Sequence, residues 1–562
     1  MPDAIFPAEL IASHVRDGFW GDRTIYDHLV DAAGKRPDRV AVVDGDRRFT
    51  YGELPGLVDR VAANLFGIGV RPGDRVVMQL PNWYEVVLVE WALMRLGAIC
   101  TPLPPIYRQR ELSFMLQLVQ PKVVIAPQTF RNWSYPPMYL DLLRSLPCVE
   151  RFYVVRAEGE LGDGMRHFEE LLAEAPAHLV SALPAKVDPN AISEIAFTSG
   201  TTGEPKGVIH THNTNLSPLR DLVRRLDMNE TDVVLMPSTF GHQTGFVYGG
   251  QLPVFVGGCL VLMDTWDPQA AVELIEREGV TWMMGATPFL QDLTDATRRL
   301  GRKPKSLRVF LCSGAPVPQP LLVEAREQLG CCVLSGWGMT ELGLVTLTDP
   351  QDPSETVTGT DGSPSPGFAV RVVDENDNDV PLGDDGDLLT RGHNMFAGYY
   401  KRPEATAALF TADGWFRTGD RAKIDANGYI RIVGRSKDLV IRGGENIPVV
   451  EVENLLHKHP KIWNVAIVAM PDPRLQERAC AFVILRPGET FSFQEMTSYL
   501  SAQHLAKQYL PERLEVVDEF PTTPSGKVQK FVLRRRIAEM VECESRHAAQ
   551  DSPAPRKEGA GR

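Results

Sequence analysis

The chain has 562 residues, 43% of them hydrophobic and 23% charged, and a formal net charge of −13 from 59 basic and 72 acidic side chains. That length exceeds one ordinary hydrophobic core, so two or more domains are expected. The acidic balance argues against a general nucleic-acid surface.

Residues 1–40 give a helical stretch around Ile25–Ala33 and little chemistry. Asp44-Gly45, between Ala41–Val43 and Arg47–Phe49, reads as a hairpin turn. Thr50 with Glu53 forms a capping box that opens a helix running to about Phe66. Strand and helix patterns then alternate: Arg75–Leu80, a helix from Asn82, Ala98–Thr101, a helix near Glu111–Leu118 and Lys122–Ala126. From about Ile192 the alternation recurs, with strands at Val233–Met236, Cys259–Met263, Thr281–Met284, Val309–Cys312 and Val333–Ser335 and helices such as Gln269–Glu278 between them. This is the pattern of parallel sheets covered by helices, and it predicts two α/β subdomains side by side.

Past Pro364, short runs such as Ala369–Val373 and Asp387–Thr390 alternate with turns, which predicts a small β-rich subdomain closing the large N-terminal domain. A further α+β unit follows. It has a helix near Val450–His459, strands at Asn464–Ala469 and Ala479–Leu485, and a basic final helix, Val528–Glu539. The residues from about 541 to 562 are rich in Pro, Ala, Gly and charge and read as a disordered tail. No apolar run reaches the roughly eighteen residues of a spanning helix. The start, Met1-Pro2-Asp3-Ala4-Ile5, lacks the basic and apolar blocks of a secretory signal. Eight cysteines, most in apolar runs (Cys259, Cys312, Cys331, Cys332), lack zinc spacing and read as buried free thiols, so a cytoplasmic location is expected.

The strongest chemical signal is Thr198-Ser199-Gly200-Thr201-Thr202-Gly203-Glu204-Pro205-Lys206-Gly207-Val208, which follows the strand-like run Ala191–Phe197. Its hydroxyls, glycines and amides suit a loop wrapped around a polyphosphate, with Lys206 as a point charge. It is not a Walker A loop, because Gly207 stands where Ser or Thr belongs after the lysine. On composition alone it also fits a surface turn. As written, the string resembles the phosphate-binding signature of the adenylate-forming superfamily, which contains acyl- and aryl-CoA synthetases, luciferases and peptide-synthetase adenylation domains.

Further segments resemble that superfamily in its own order, over roughly residues 20–540. Gly336-Trp337-Gly338-Met339-Thr340-Glu341 is similar to the aromatic-Gly-x-Thr-Glu segment. The resemblance implies that Trp337 flanks the adenine, Thr340 lies near the phosphates and Glu341 holds Mg²⁺; Trp replaces the usual Tyr. Stacking of an aromatic plane on a purine and a hard carboxylate oxygen on Mg²⁺ agree with those roles. Ser313-Gly314-Ala315-Pro316 resembles the small-residue segment of the adenine and acyl pocket, and equally fits a strand ending in a turn. Thr418-Gly419-Asp420 matches the aspartate that binds the ribose hydroxyls, and Gly434-Arg435-Ser436-Lys437-Asp438 matches the ribose-contacting arginine and the interdomain hinge at Lys437. Arg442-Gly443-Gly444 resembles the loop that forms the thioester site with coenzyme A. Pro524-Ser525-Gly526-Lys527 matches the C-terminal lysine motif, with Lys527 stabilising charge during adenylation.

Phe240-Gly241-His242-Gln243-Thr244-Gly245 occupies the segment beside the acyl carboxylate, where His242 either shapes the substrate tunnel or is a merely hydrogen-bonded helix-start residue. Phe240, Gly241, Gly245, Gly314, Gly336 and Met339 are expected to give the acyl pocket apolar space. His210, His212, His457 and His459 read as structural or solvent-facing. The resemblance implies an ATP-dependent carboxylate–CoA ligase with a domain spanning 1–436 and a mobile one spanning 437–540. Its pocket segments resemble those of medium-chain fatty acid and cyclohexanecarboxylate ligases. Its partners would be ATP with Mg²⁺, a small carboxylic acid and coenzyme A, with a homodimer admitted. The alternatives are an aryl or fatty acyl-AMP ligase that loads a carrier protein, and a non-catalytic relative that binds nucleotide or acyl groups.

Overall fold

The computed structural model describes residues 6–198, 205–314, 317–435, 440–442, 445–503, 505, 507–523 and 526–550. The chain divides into two units, Met1–Thr418 with Lys423–Arg431 and Pro524–Gly526, and Gly419–Ala422 with Ile432–Thr523 and Lys527–Arg562.

Two large sheets form the first unit. One runs in the order Ser363–Pro364, Gly343–Leu347, Cys332–Met339, Val309–Ser313, Trp282–Gly285, Val233–Met236, Cys259–Leu262, Val40–Asp44, Arg47–Thr50. The other runs Lys206–Thr211, Ile192–Thr198, Ile99–Pro102, Arg75–Met78, Val123–Pro127, Arg151–Val155, Met165–His167. Their central strands are parallel, with antiparallel strands at the margins. Such strands read as near-continuous apolar runs because helices cover both faces. The two α/β subdomains are therefore present, but they are not consecutive in sequence. The early hairpin Val40–Thr50 joins the sheet of the later strands, pairing Val42 with Leu260. Ile192–Thr198 joins the sheet of the earlier strands, pairing Glu194 with Cys100.

The helix Tyr84–Leu96 is buried on nearly every side between these sheets, which explains why its sequence lacks a polar face. Its Trp91 is fully buried and donates from Nε1 to the Gly250 carbonyl at 3.0 Å. The Thr50–Glu53 contact forms, with the Thr50 amide donating to Glu53 Oε2 at 2.8 Å, but the helix it precedes begins at Leu54. A short helix at Ala8–Arg16 adds to the expected elements.

The small β-rich sheet orders Ala369–Val373, Gly386–Arg391, Phe416–Ile424 and Ile430–Arg435. In the second unit, Gln476–Leu485 pairs antiparallel with Ile462–Asp472 and parallel with Arg513–Val516. The helices Val449–His457 and Phe493–Ala502 complete the α+β pattern. The last helix runs Lys530–Gln550, so the tail expected to be disordered from 541 is helical to Gln550; 551–562 lie outside the described residues.

Candidate active site

In open parallel sheets the carboxyl ends of the strands face the ligand crevice, and the chemistry-bearing segments stand there. Thr198 ends its strand, Gly314 follows Val309–Ser313, and Thr340-Glu341 follow Cys332–Met339. Gly314 has φ +94°, a conformation open to glycine and strained for other residues. Gly336 and Gly338 let the strand Gly343–Leu347 approach closely. A Cβ at Gly338 would lie 2.1 Å from the Gly343 carbonyl oxygen, and one at Gly336 would lie 2.9 Å from that of Thr346. The pairing slips between Trp337 and Gly338, and such bulges re-aim side chains. Trp337 is 7% exposed, while Met339 and Thr340 keep more accessible surface.

Glu341 is 6% exposed and accepts a 2.7 Å hydrogen bond at Oε1 from the Tyr399 hydroxyl. Lys206 Nζ lies 4.8 Å from the centre of the same ring. Burial and the neighbouring Glu341 push the Tyr399 phenol upward, so it remains a donor. The segment carrying Tyr399 is fastened to the strand Lys206–Thr211. The Tyr400 amide donates to the Gly207 carbonyl at 2.8 Å, and the Ala397 amide donates to that of Ile209 at 2.8 Å. No sequence motif marked Tyr399, because its role comes from this long-range pairing.

His210 contributes from the adjoining strand. Its Nε2 lies 2.7 Å from the Thr340 carbonyl oxygen and its Nδ1 3.0 Å from Thr214 Oγ1. A carbonyl can only accept, so the proton sits on Nε2 and Thr214 donates to Nδ1. Burial holds the imidazole down at about 4, so it stays neutral. His210 is structural, as expected, and the residue it positions is Thr340. His459 is buried, at 7% exposure, among Phe491 and Tyr499.

The Phe240–Gly245 segment opens a π-helix, Thr244–Gln251, a rare form found often at functional sites. The His242 amide donates to the Thr239 carbonyl at 3.0 Å, and the Thr244 amide donates to His242 Nδ1 at 3.2 Å. The helix is tied to the site strand by Tyr248, whose hydroxyl accepts from the Leu344 amide at 2.9 Å. Here the expectation of pocket space needs correction. Phe240 is 0% exposed and belongs to the core. A Cβ at Gly241 would lie 2.2 Å from Pro104 N, and one at Gly245 would lie 2.2 Å from the Thr239 carbonyl oxygen. These glycines, like Gly336, are required by close backbone packing. His242, Gly314 and Met339 retain accessible surface.

Within the second unit, Arg435 Nε donates to Asp420 Oδ1 at 3.1 Å, orienting the ribose-motif carboxylate. Arg442 pairs with Glu512 at 2.9 Å. Around the C-terminal lysine, the Thr523 amide donates to the Lys527 carbonyl at 2.8 Å and the Lys527 amide donates to Thr523 Oγ1 at 3.1 Å. Ser199, Gly200, Thr201, Thr202, Gly203, Ala315, Pro316, Lys437, Gly443 and Gly444 lie outside the described residues.

The AMP-binding enzyme family matches residues 29–400, and its C-terminal domain matches residues 451–527. The chain belongs to the AMP-binding enzyme family. It is 36% identical to the medium-chain fatty-acid–CoA ligase of Escherichia coli (strain K12), covering 94% of this chain and 92% of that protein. It is 35% identical to the 2,3-dihydroxybenzoate-AMP ligase of Bacillus subtilis (strain 168), covering 95% and 98%. Among solved structures, the ATP-bound MatB of Rhodopseudomonas palustris superposes with a TM-score of 0.80 at 27% identity, covering 92% of this chain and 100% of that one.

This AMP-binding enzyme is thus an ATP-dependent adenylate-forming ligase with the fold of its relatives. No described helix is long and apolar enough to cross a membrane. For Mg²⁺ the donor set fits an ion delivered with phosphates. Tyr399 occupies Glu341 Oε1, no described residue hydrogen-bonds Oε2, and Mg²⁺ commonly takes one or two carboxylates plus phosphates and water. Among the described residues no cluster of three or more His, Cys, Asp or Glu could form a protein cage for a metal.

Proposed function

We propose that the enzyme is a carboxylate–CoA ligase acting on a medium-chain or alicyclic acid. The acid oxygen attacks the α-phosphorus of ATP, pyrophosphate leaves, and the resulting acyl-adenylate carries AMP as a good leaving group. The thiol of coenzyme A then attacks the acyl carbon and AMP departs. No nucleophilic side chain is needed. The observation that carries the nucleotide half is the convergence of Lys206, Tyr399 and Glu341: a cation and a carboxylate on one phenol, suited to phosphates and their metal. Glu341 would hold the Mg²⁺ delivered with ATP, and that ion would supply neutralisation of phosphate charge. By the family resemblance we assign Thr198 and Lys206 to the phosphates and Trp337 to the adenine, and, among residues of the second unit, Asp420 and Arg435 to the ribose, Lys527 to the α-phosphate and Arg442 to the coenzyme.

The acyl class is supported by the surroundings of His242. His242 and Thr244 keep accessible surface, and no Asp or Glu of 239–248 offers a charge to a substrate ammonium. The likeness to a fatty-acid–CoA ligase points the same way. The likeness to a 2,3-dihydroxybenzoate-AMP ligase favours a second reading, an aryl-AMP ligase that serves a carrier. AMP release measured with and without coenzyme A, across aliphatic, alicyclic and aromatic acids, separates them. Coenzyme-dependent release with octanoate or cyclohexanecarboxylate supports the first; release confined to hydroxylated aromatic acids overturns it. We place the enzyme in the cytoplasm, in keeping with eight free cysteines.

A further inference from the structure

A polar island lies where the strand Ile192–Thr198, the helix His212–Arg225 and the turn before the π-helix meet. Glu194, Asn215 and Gln243 are 0%, 1% and 6% exposed. Asn215 Nδ2 donates to Glu194 Oε2 at 2.9 Å, and Gln243 Nε2 donates to Asn215 Oδ1 at 3.0 Å. The other end of the Gln243 amide stands 3.0 and 3.1 Å from the two Glu194 carboxyl oxygens. The three side chains therefore form a closed triangle.

Each amide has one donor end and one acceptor end. If Glu194 is ionised, both amides must turn their N–H groups toward it, and two carbonyl oxygens then face each other across the Gln243–Asn215 side. Turning either amide over moves that mismatch to another side without removing it. One proton on Glu194 removes it. The carboxyl O–H donates to Gln243 Oε1, Gln243 Nε2 donates to Asn215 Oδ1, and Asn215 Nδ2 donates to Glu194 Oε2. Every member then gives and receives one hydrogen bond, which is what burial demands.

No described cation pairs with this carboxyl. The titratable groups around it are Cys100 and His210, opposite it in the adjoining strands, and Glu90 of the helix Tyr84–Leu96. Glu90 accepts from Gln251 Nε2 at 3.2 Å through Oε1, and its buried Oε2 has no hydrogen-bond partner. Burial pushes Glu194 up to about 8 and pushes Glu90 up as well.

Gln243 is the residue after His242, so holding its side chain holds the Thr239–Thr244 turn. We propose that Glu194 carries this proton in the working enzyme and, through Gln243, is a positioning residue for His242 at the acyl end of the site. The catalytic consequence rests on the proposed acyl role of His242; the proton itself does not.

Glu194→Gln supplies the same donor and acceptor without a titrating proton, and Glu194→Ala opens the ring. Two measurements on the full-length enzyme test the proposal. The infrared difference between wild type and Glu194→Gln at about pH 7 should contain the carbonyl stretch of a protonated carboxyl, and that band should be gone by about pH 9. Should Glu194→Gln fail to fold, Glu90→Gln leaves Glu194 as the buried carboxyl of this cluster, and the band should persist in it. In steady-state kinetics with octanoate, wild-type KM for the acid should rise on the order of tenfold from about pH 8 to 9 while KM for ATP stays level. Glu194→Gln should lack that rise, and Glu194→Ala should show a raised acid KM at every pH. Absence of the band at about pH 7 overturns the proton assignment. An alkaline rise shared by wild type and Glu194→Gln overturns the positioning role. If no acid is activated at all, the reading of the acyl site fails, and the infrared band still decides the ring.

Discussion

The Tyr399 hydroxyl donates a 2.7 Å hydrogen bond to Glu341 Oε1, joining residues 58 positions apart at the point where Lys206 covers the same ring. The phenol holds one carboxylate oxygen, and no described residue hydrogen-bonds the other. A hydrogen bond to a charged group contributes about 1.5–3 kcal/mol.

Tyr399→Phe removes that donor and keeps the ring beneath Lys206. The ATP–pyrophosphate exchange rate is expected to fall about 10- to 100-fold at fixed Mg²⁺. The Mg²⁺ concentration at half-maximal exchange should rise with it. Exchange at the wild-type rate across a Mg²⁺ titration would show that Tyr399 does not position Glu341.

His210 donates to the Thr340 carbonyl, and Gln can donate from a similar place. His210→Ala is expected to slow exchange about tenfold, and His210→Gln to recover most of that loss. The imidazole also predicts an acid limb of stability. Its folded value of about 4 lies below its ordinary 6.5, so the unfolded chain binds the extra proton. The stability it contributes is present above 6.5 and lost as pH falls toward 4. Melting temperatures of wild type and His210→Gln should therefore converge as the pH is lowered through that window; parallel curves would refute the assignment.

At Gly245 a methyl group would meet the Thr239 carbonyl oxygen at 2.2 Å, so Gly245→Ala should strain the backbone. A loss of about 1–3 kcal/mol in denaturant unfolding is expected, with a similar fall in activity for short and long acids. A selective loss of the longer acids, at unchanged stability, would return Gly245 to the pocket wall.

Lys527 and the Arg442–Gly444 loop belong to different half-reactions in the proposed mechanism, and one fixed placement can hardly serve both. Lys527→Ala is expected to abolish pyrophosphate exchange and spare thioester formation from supplied acyl-adenylate. Lys437→Pro should do the reverse by restricting the pivot. Equal slowing of both steps by both substitutions would rule out alternation about Lys437.

The sequence by itself determined the family, the α/β class and most strands, because phosphate loops, strand ends and capping turns are written in contiguous residues. The family match and the strand that ends at Met339 were legible for that reason. Tertiary structure decided which sheet each strand enters, since pairing Val42 with Leu260 and Glu194 with Cys100 depends on long-range register. It also decided what each glycine is for: Gly241, Gly245 and Gly336 have the composition of a pocket and the geometry of backbone packing. Tyr399 acquires its role by reaching Glu341 from a distant segment, and Glu194 by meeting two buried amides from two other elements. Both depend on burial and on partners far apart in the chain, and neither is encoded in any short run of residues.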